Sequence, residues 1–68
     1  GGLTRREIDV VRLVAEGLTT GEIARRLFIS AKTADHHIQH IYTKVGVSNR
    51  VAIARWAIEQ GIVVSTDT

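Results

Sequence analysis

The 68-residue chain has no cysteine, no proline and no methionine, and only one tryptophan, one tyrosine and one phenylalanine. Without cysteine it can form neither a disulfide nor a thiolate metal site. Without proline, no helix is broken from within. An aromatic content of 4% leaves the core to aliphatic side chains, within a hydrophobic content of 44%. No apolar run approaches the roughly 18 residues needed to span a bilayer, and no signal peptide is visible. These absences lead us to expect a cytoplasmic protein. Two-residue hairpin signals and period-two alternation are missing as well, which argues against a β fold. A chain this short makes one domain, and its core yields a net stability of only about 3–5 kcal/mol. Little is left to hold a substrate pocket, so catalysis is disfavoured at the outset.

What the chain does have is punctuation. Leu3-Thr4-Arg5-Arg6-Glu7-Ile8 reads as a capping box, Thr4 with Glu7, enclosed by a hydrophobic staple from Leu3 to Ile8. Leu18-Thr19-Thr20-Gly21-Glu22-Ile23 repeats both devices. Ile29 before Ser30 and Val47 before Ser48 put an apolar residue ahead of an N-cap twice more. Gly17, Gly46 and Gly61 stand where helices should stop. The pattern predicts an all-α, four-helix (tetrahelical) domain with helices at about 5–16, 20–27, 31–45 and 49–60. Its domain spans 3–64, after a vector scar or linker at 1–2 and before a fraying tail at 65–68. In the first helix Ile8, Val11, Val14 and Ala15 should face inward, with Val10 and Leu13 broadening the stripe. Phe28 is expected to pack between helices.

Residues 19–46 carry the functional signal. A short helix bearing Ile23, Ala24 and Leu27 meets a tight corner, and Ser30 opens a second helix. That helix hides Ala34, Ile38, Ile41 and Val45, spaced by four, three and four. Its opposite face shows Lys32, Thr33, Asp35, His36, Gln39, His40 and Thr43, nearly all able to hydrogen-bond. A helix braced by a shorter one and displaying polar side chains is how a helix-turn-helix reads a major groove.

Charge agrees with this. The net charge is +2, yet from Thr20 to Arg50 the basic residues are Arg25, Arg26, Lys32, Lys44 and Arg50, against Glu22 and Asp35. Elsewhere the signs nearly balance. Excess positive charge thus coincides with the motif, as phosphate binding requires. His36, His37 and His40 beside Asp35 could share an ion in pairs, but no second ligand cluster exists to close a site. No metal and no cofactor is expected. Hydroxyls and carboxylates sit at helix caps, so no catalytic set is expected either.

Taken together, LTRRE at 3–7, AEGLTTGEIARRLFIS at 15–30, AKT at 31–33, His37-Ile38, IYTKVGVSNR at 41–50 and Gly61-Ile62 resemble the LuxR-type (GerE, NarL/FixJ-like) C-terminal DNA-binding domain. The resemblance covers about residues 3–62, with separated motifs in matching order. It implies a four-helix domain whose third helix enters the major groove, dimerisation on DNA through the fourth helix, and an upstream receiver or sensor domain. The chain departs from the family pattern at Ala34 (usually valine), Asp35 (usually lysine or arginine) and Thr20-Gly21 (often Asn-Lys). These departures imply a different preferred site and weaker binding.

The expected base contacts are Lys32, Thr33, Asp35, His36 and Gln39. Lys32 and His36 could donate to guanine, Gln39 could pair with adenine, and Asp35 could accept from a cytosine amino group. The expected phosphate contacts are Thr19, Thr20, Ser30, His37, Lys44, Ser48 and Arg50, through hydroxyls and helix N-termini or through charge. For Arg50 a bridge to Glu7 is an equal alternative. On the fourth helix Val51, Arg55 and Ile58 form the expected dimer edge, with Trp56 either flanking it or covering the core. The function expected is sequence-specific duplex DNA binding by a transcriptional regulator acting as a homodimer. The alternative is a protein–protein interaction module derived from a helix-turn-helix that no longer binds DNA.

Overall fold

The computed structural model describes residues 2–63 and contains four helices, α1 (Arg5–Ala15), α2 (Thr20–Leu27), α3 (Ala31–Val45) and α4 (Arg50–Glu59). The expected tail at 65–68, and Gly1 of the expected linker, lie outside the described residues. No strand occurs among them.

Both capping boxes form. Thr4 Oγ1 accepts from Glu7 N at 3.1 Å while Glu7 Oε1 accepts from Thr4 N at 2.8 Å. Thr19 and Glu22 make the same two bonds at the same distances. Ser30 caps α3 by accepting from Thr33 N at 3.0 Å. The start of α4 corrects the sequence reading, because Asn49 and not Ser48 is the N-cap, with Oδ1 accepting from Ala52 N at 2.8 Å. Serine and asparagine both cap well, so adjacent in sequence they leave the choice to the approach of the preceding loop.

The helices end alike. After α1, Gly17 turns left-handed at φ 91°, and the N–H groups of Gly17 and Leu18 reach back to the carbonyls of Val14 and Leu13. This Schellman closure satisfies carbonyls the helix leaves open, and a β-carbon at that φ is strained. After α2 the same closure forms without glycine. Phe28 adopts φ 58° and Ile29 N bonds to Ala24 O at 3.0 Å. Phe28 is 95% exposed, so the expectation that it packs between the helices is overturned. In the left-handed conformation its side chain leaves the corner outward, and Ile29 is the one that packs on the core.

The core is aliphatic and sits where α1 meets α2, α3 and α4. Val10, Val11, Ile23, Ala34, Ile41, Ile53 and Ala57 are fully buried, and Leu13, Val14, Ala24 and Ile38 nearly so. On α1 the buried stripe centres on Val10, Val11 and Val14, while Ile8 and Ala15, expected inside, are half-buried. α1 touches three helices, so it needs a wider apolar face than a single stripe.

Candidate nucleic-acid interface

α3 divides cleanly. Ala34, Ile38 and Ile41 are buried against the rest of the domain. Lys32, Thr33, Asp35, His36, Gln39, His40 and Thr43 are all exposed on the other side. This follows from the 3.6-residue period, since positions three and four apart share a face. The first turn is fixed by Ser30, whose hydroxyl also donates to Thr33 Oγ1 at 2.9 Å. Farther along, the rings of His36 and His40 stack one turn apart, with centroids 4.3 Å apart and planes tilted by 52°. The proposed base-reading residues Lys32, Thr33, Asp35, His36 and Gln39 therefore lie together on one open surface. Asp35 is the one carboxylate there, and it makes no ion pair among the described residues.

The residues expected at phosphates are more scattered in role. Ser30 lies at the start of α3 and Thr19 at the start of α2, each already capping its helix. Ser48 is exposed and His37 half-buried. Arg50 is half-buried, and its guanidinium donates to Leu18 O at 2.9 Å and to Thr20 Oγ1. Thus Arg50 ties the start of α4 to the α1–α2 loop, and the alternative bridge from Arg50 to Glu7 does not form. That place is taken by Lys44, whose Nζ lies 2.8 Å from Glu7 Oε1.

Sequence reading took Glu7 as a cap and as an alternative partner of Arg50, and missed its burial. It is 3% exposed and is the only buried charged side chain among the described residues. Its carboxyl is held below its ordinary value, first by the hydrogen bond from Lys44 and next by the Thr4 backbone N–H, while burial works in the opposite direction. Its other oxygen lies 4.0 Å from His40 Nδ1. The signal was the apolar spacing of α1, which places position 7 one turn before the buried Val10 and Val11.

On α4, Ile53 and Ala57 enter the core. Val51, Arg55 and Ile58 form an open edge, with Val51 69% and Ile58 47% exposed. Trp56 is half-buried and packs against the core, sharing a groove with Leu3, Ile8, Val45 and Ile62. Five residues at about 100° each put it roughly 140° around the helix from Val51. Trp56 thus sits where the core-covering alternative had it, away from the open edge.

A two-helix corner, α2 to α3, whose second helix shows a polar face, set on an aliphatic core, defines a helix-turn-helix domain. Comparison with known proteins makes the assignment specific. The family model described as bacterial regulatory proteins, luxR family, matches residues 2–57. Proteins named as HTH-type transcriptional regulators in Mycobacterium bovis and Mycobacterium tuberculosis are each 48% identical to the chain over 61 residues, covering 90% of it and 7% of their own length. The oxygen regulatory protein NreC of Staphylococcus aureus is 36% identical over 58 residues, covering 85% of the chain and 27% of that protein. The crystal structure of the response regulator ChrA, from a heme-sensing two-component system, superposes with a TM-score of 0.86 at 38% identity. That superposition covers 93% of this chain and 31% of ChrA. The chain belongs to the luxR family of bacterial regulatory proteins. It is a DNA-binding helix-turn-helix domain of the kind carried by transcriptional regulators, and its family is not one of enzymes. No helix among the described residues is long and apolar enough to cross a membrane.

Proposed function

We propose that the domain binds duplex DNA sequence-specifically, with α3 lying in the major groove and two copies meeting through α4. The observation that carries this is the exposure of seven polar residues on one face of α3 while Ala34, Ile38 and Ile41 hold its back in the core. Lys32 and His36 are the leading base contacts, joined by Thr33, Gln39 and Asp35. An ionised carboxylate can only accept, so Asp35 favours a site offering a cytosine or adenine amino group. Thr19, Thr20, Ser30, His37, Ser48, Lys44 and Arg50 are the proposed phosphate contacts. Thr19, Thr20, Ser30 and Ser48 carry no charge, so the ionic share of this set falls mainly to Lys44, partly neutralised by Glu7, and Arg50, whose internal partners are neutral oxygens. The dimer edge is Val51, Arg55 and Ile58, while Trp56 covers the core on another side of α4.

In the whole protein this domain is the DNA-binding end of a longer regulator, with a receiver or sensor domain upstream and action in the cytoplasm. The reading is supported by the small share of each relative that the chain spans. One of those relatives is named an oxygen regulatory protein, and another is a response regulator of a heme-sensing two-component system.

The test is fluorescence anisotropy against a randomised duplex pool across a salt series, with bound sequences recovered. We expect affinity to fall steeply with salt and an inverted repeat to be enriched. Lys32→Ala should relax the preference at one position at a cost of about 1–3 kcal/mol. Val51→Glu should abolish cooperative occupation of two half-sites while sparing the fold. Absence of salt-sensitive binding to any sequence would overturn this reading and turn the search to the protein-interaction module.

A further inference from the structure

Among the described residues the Lys44 ion pair and a longer contact from His40 converge on one carboxylate, which belongs neither to the open face of α3 nor to the edge of α4. Glu7 Oε1 accepts from Thr4 N and from Lys44 Nζ, each at 2.8 Å, and Oε2 lies 4.0 Å from His40 Nδ1. Capping alone requires none of this. Glu22 caps α2 with the same bonds while exposed, and it makes no ion pair among the described residues. His40 in turn stacks on His36. A buried carboxylate on α1 therefore stands behind the last turns of α3, two side chains away from the proposed reading surface.

We infer that Glu7 is a positioning residue for base recognition, fixing the C-terminal half of α3 through Lys44 and His40 and setting the ring of His36 through the stack. The inference rests on the groove reading proposed above. Its physical content is directional. The first half of α3 is fixed by the Ser30 cap and by Ala34 and Ile38 in the core. The second half has Ile41 in the core, Tyr42 and Val45 packed against it, and this carboxylate as its one charged anchor. Base contacts are short and angular, whereas attraction to phosphates changes little over a small displacement. Loss of the Glu7 charge should therefore degrade discrimination between sequences more than it degrades ionic affinity.

The test compares Glu7→Gln with Glu22→Gln in the 68-residue chain. Glutamine keeps an oxygen for the N-cap N–H and removes only the charge. The probes are the duplex recovered from the randomised pool and a scrambled duplex of equal length, with the folded fraction held constant by circular dichroism. For Glu7→Gln we expect the affinity ratio between the two duplexes to fall about tenfold, the size of one good base contact, with the salt slope no shallower, since Lys44 loses its internal counterion. For Glu22→Gln the ratio should stay within about twofold, because an exposed capping charge acts on both duplexes alike. Adding Glu7→Gln to His36→Ala should cost little more than His36→Ala alone, since coupled residues are not additive. A purely structural Glu7 would lower the melting temperature, leave the ratio intact and add fully to His36→Ala. Those results would overturn the inference. If the unsubstituted chain shows no salt-sensitive binding, the groove reading falls first, and the inference with it, before any variant is compared.

Discussion

α1 and α2 open with the same four-residue device and close with the same backbone turn, yet they stand in different surroundings. At the start, Thr4–Glu7 and Thr19–Glu22 make bonds of identical length. Glu7 is buried and tied to α3, whereas Glu22 is exposed. At the end both chains pass through the left-handed region, with glycine at position 17 and phenylalanine at position 28. Local sequence thus specifies the cap and the turn. What a capping side chain does beyond capping depends on which helix crosses behind it.

The largest expected effect comes from removing both glutamates in turn. Glu7→Ala deletes half of a capping box and leaves the Lys44 ammonium without its counterion. Breaking a fully buried pair costs about 3–5 kcal/mol, but the Lys44 side chain is 39% exposed and can return to water. We therefore expect a loss of about 2 kcal/mol for Glu7→Ala, measured by urea denaturation. Glu22→Ala should lower the midpoint much less. Equal losses would mean that the two boxes differ only in appearance and that the tie to α3 contributes nothing.

The same contrast explains what could be read from sequence. Caps, stripes and stops are signals between residues three to five apart, and the four helices, both boxes and the split face of α3 were all legible. The Glu7–Lys44 and Arg50–Leu18 contacts join residues 37 and 32 positions apart. Such contacts depend on how helices cross, which no local pattern encodes. Lysine at position 44 showed its charge in the sequence but not its internal partner, Glu7. Phe28 was misplaced. Apolar character suggested packing, but the conformation required to leave α2 turned the ring to solvent.

Acid should separate the two glutamates in a second way. Both carboxyls are held below the ordinary value of 4.5, Glu7 chiefly by Lys44 and Glu22 chiefly by the Thr19 backbone N–H. A depressed folded-state value means that the unfolded chain takes up protons first. The stabilisation is therefore complete above about pH 4.5 and is lost as pH falls through the folded-state value. In thermal melts, the gap between the native chain and Glu7→Gln should be about 1 kcal/mol at pH 6 and should close towards pH 2. Adding 0.5 M salt should shrink the corresponding gap for Glu22→Gln more than that for Glu7→Gln, because exposed charges are screened more strongly. A Glu7 gap that persists at pH 2 would assign its role to shape and not to charge.

The smallest effect concerns the other ends of the two helices. Non-glycine residues in the left-handed region cost about 1 kcal/mol or somewhat more, and Phe28, at 95% exposure, recovers almost none of that through burial. Phe28→Gly should therefore stabilise the domain by about 0.5–1 kcal/mol, although glycine also raises the entropy of the unfolded chain. Gly17→Ala should move stability in the opposite direction by a similar amount, since nothing lies within 4 Å of the added β-carbon and the φ of 91° alone opposes it. Chemical denaturation of the two variants reads both signs directly. Destabilisation by Phe28→Gly would show that the exposed ring makes a contribution that neither its conformation nor its burial accounts for. The resemblance between the two helix ends would then stop at the backbone.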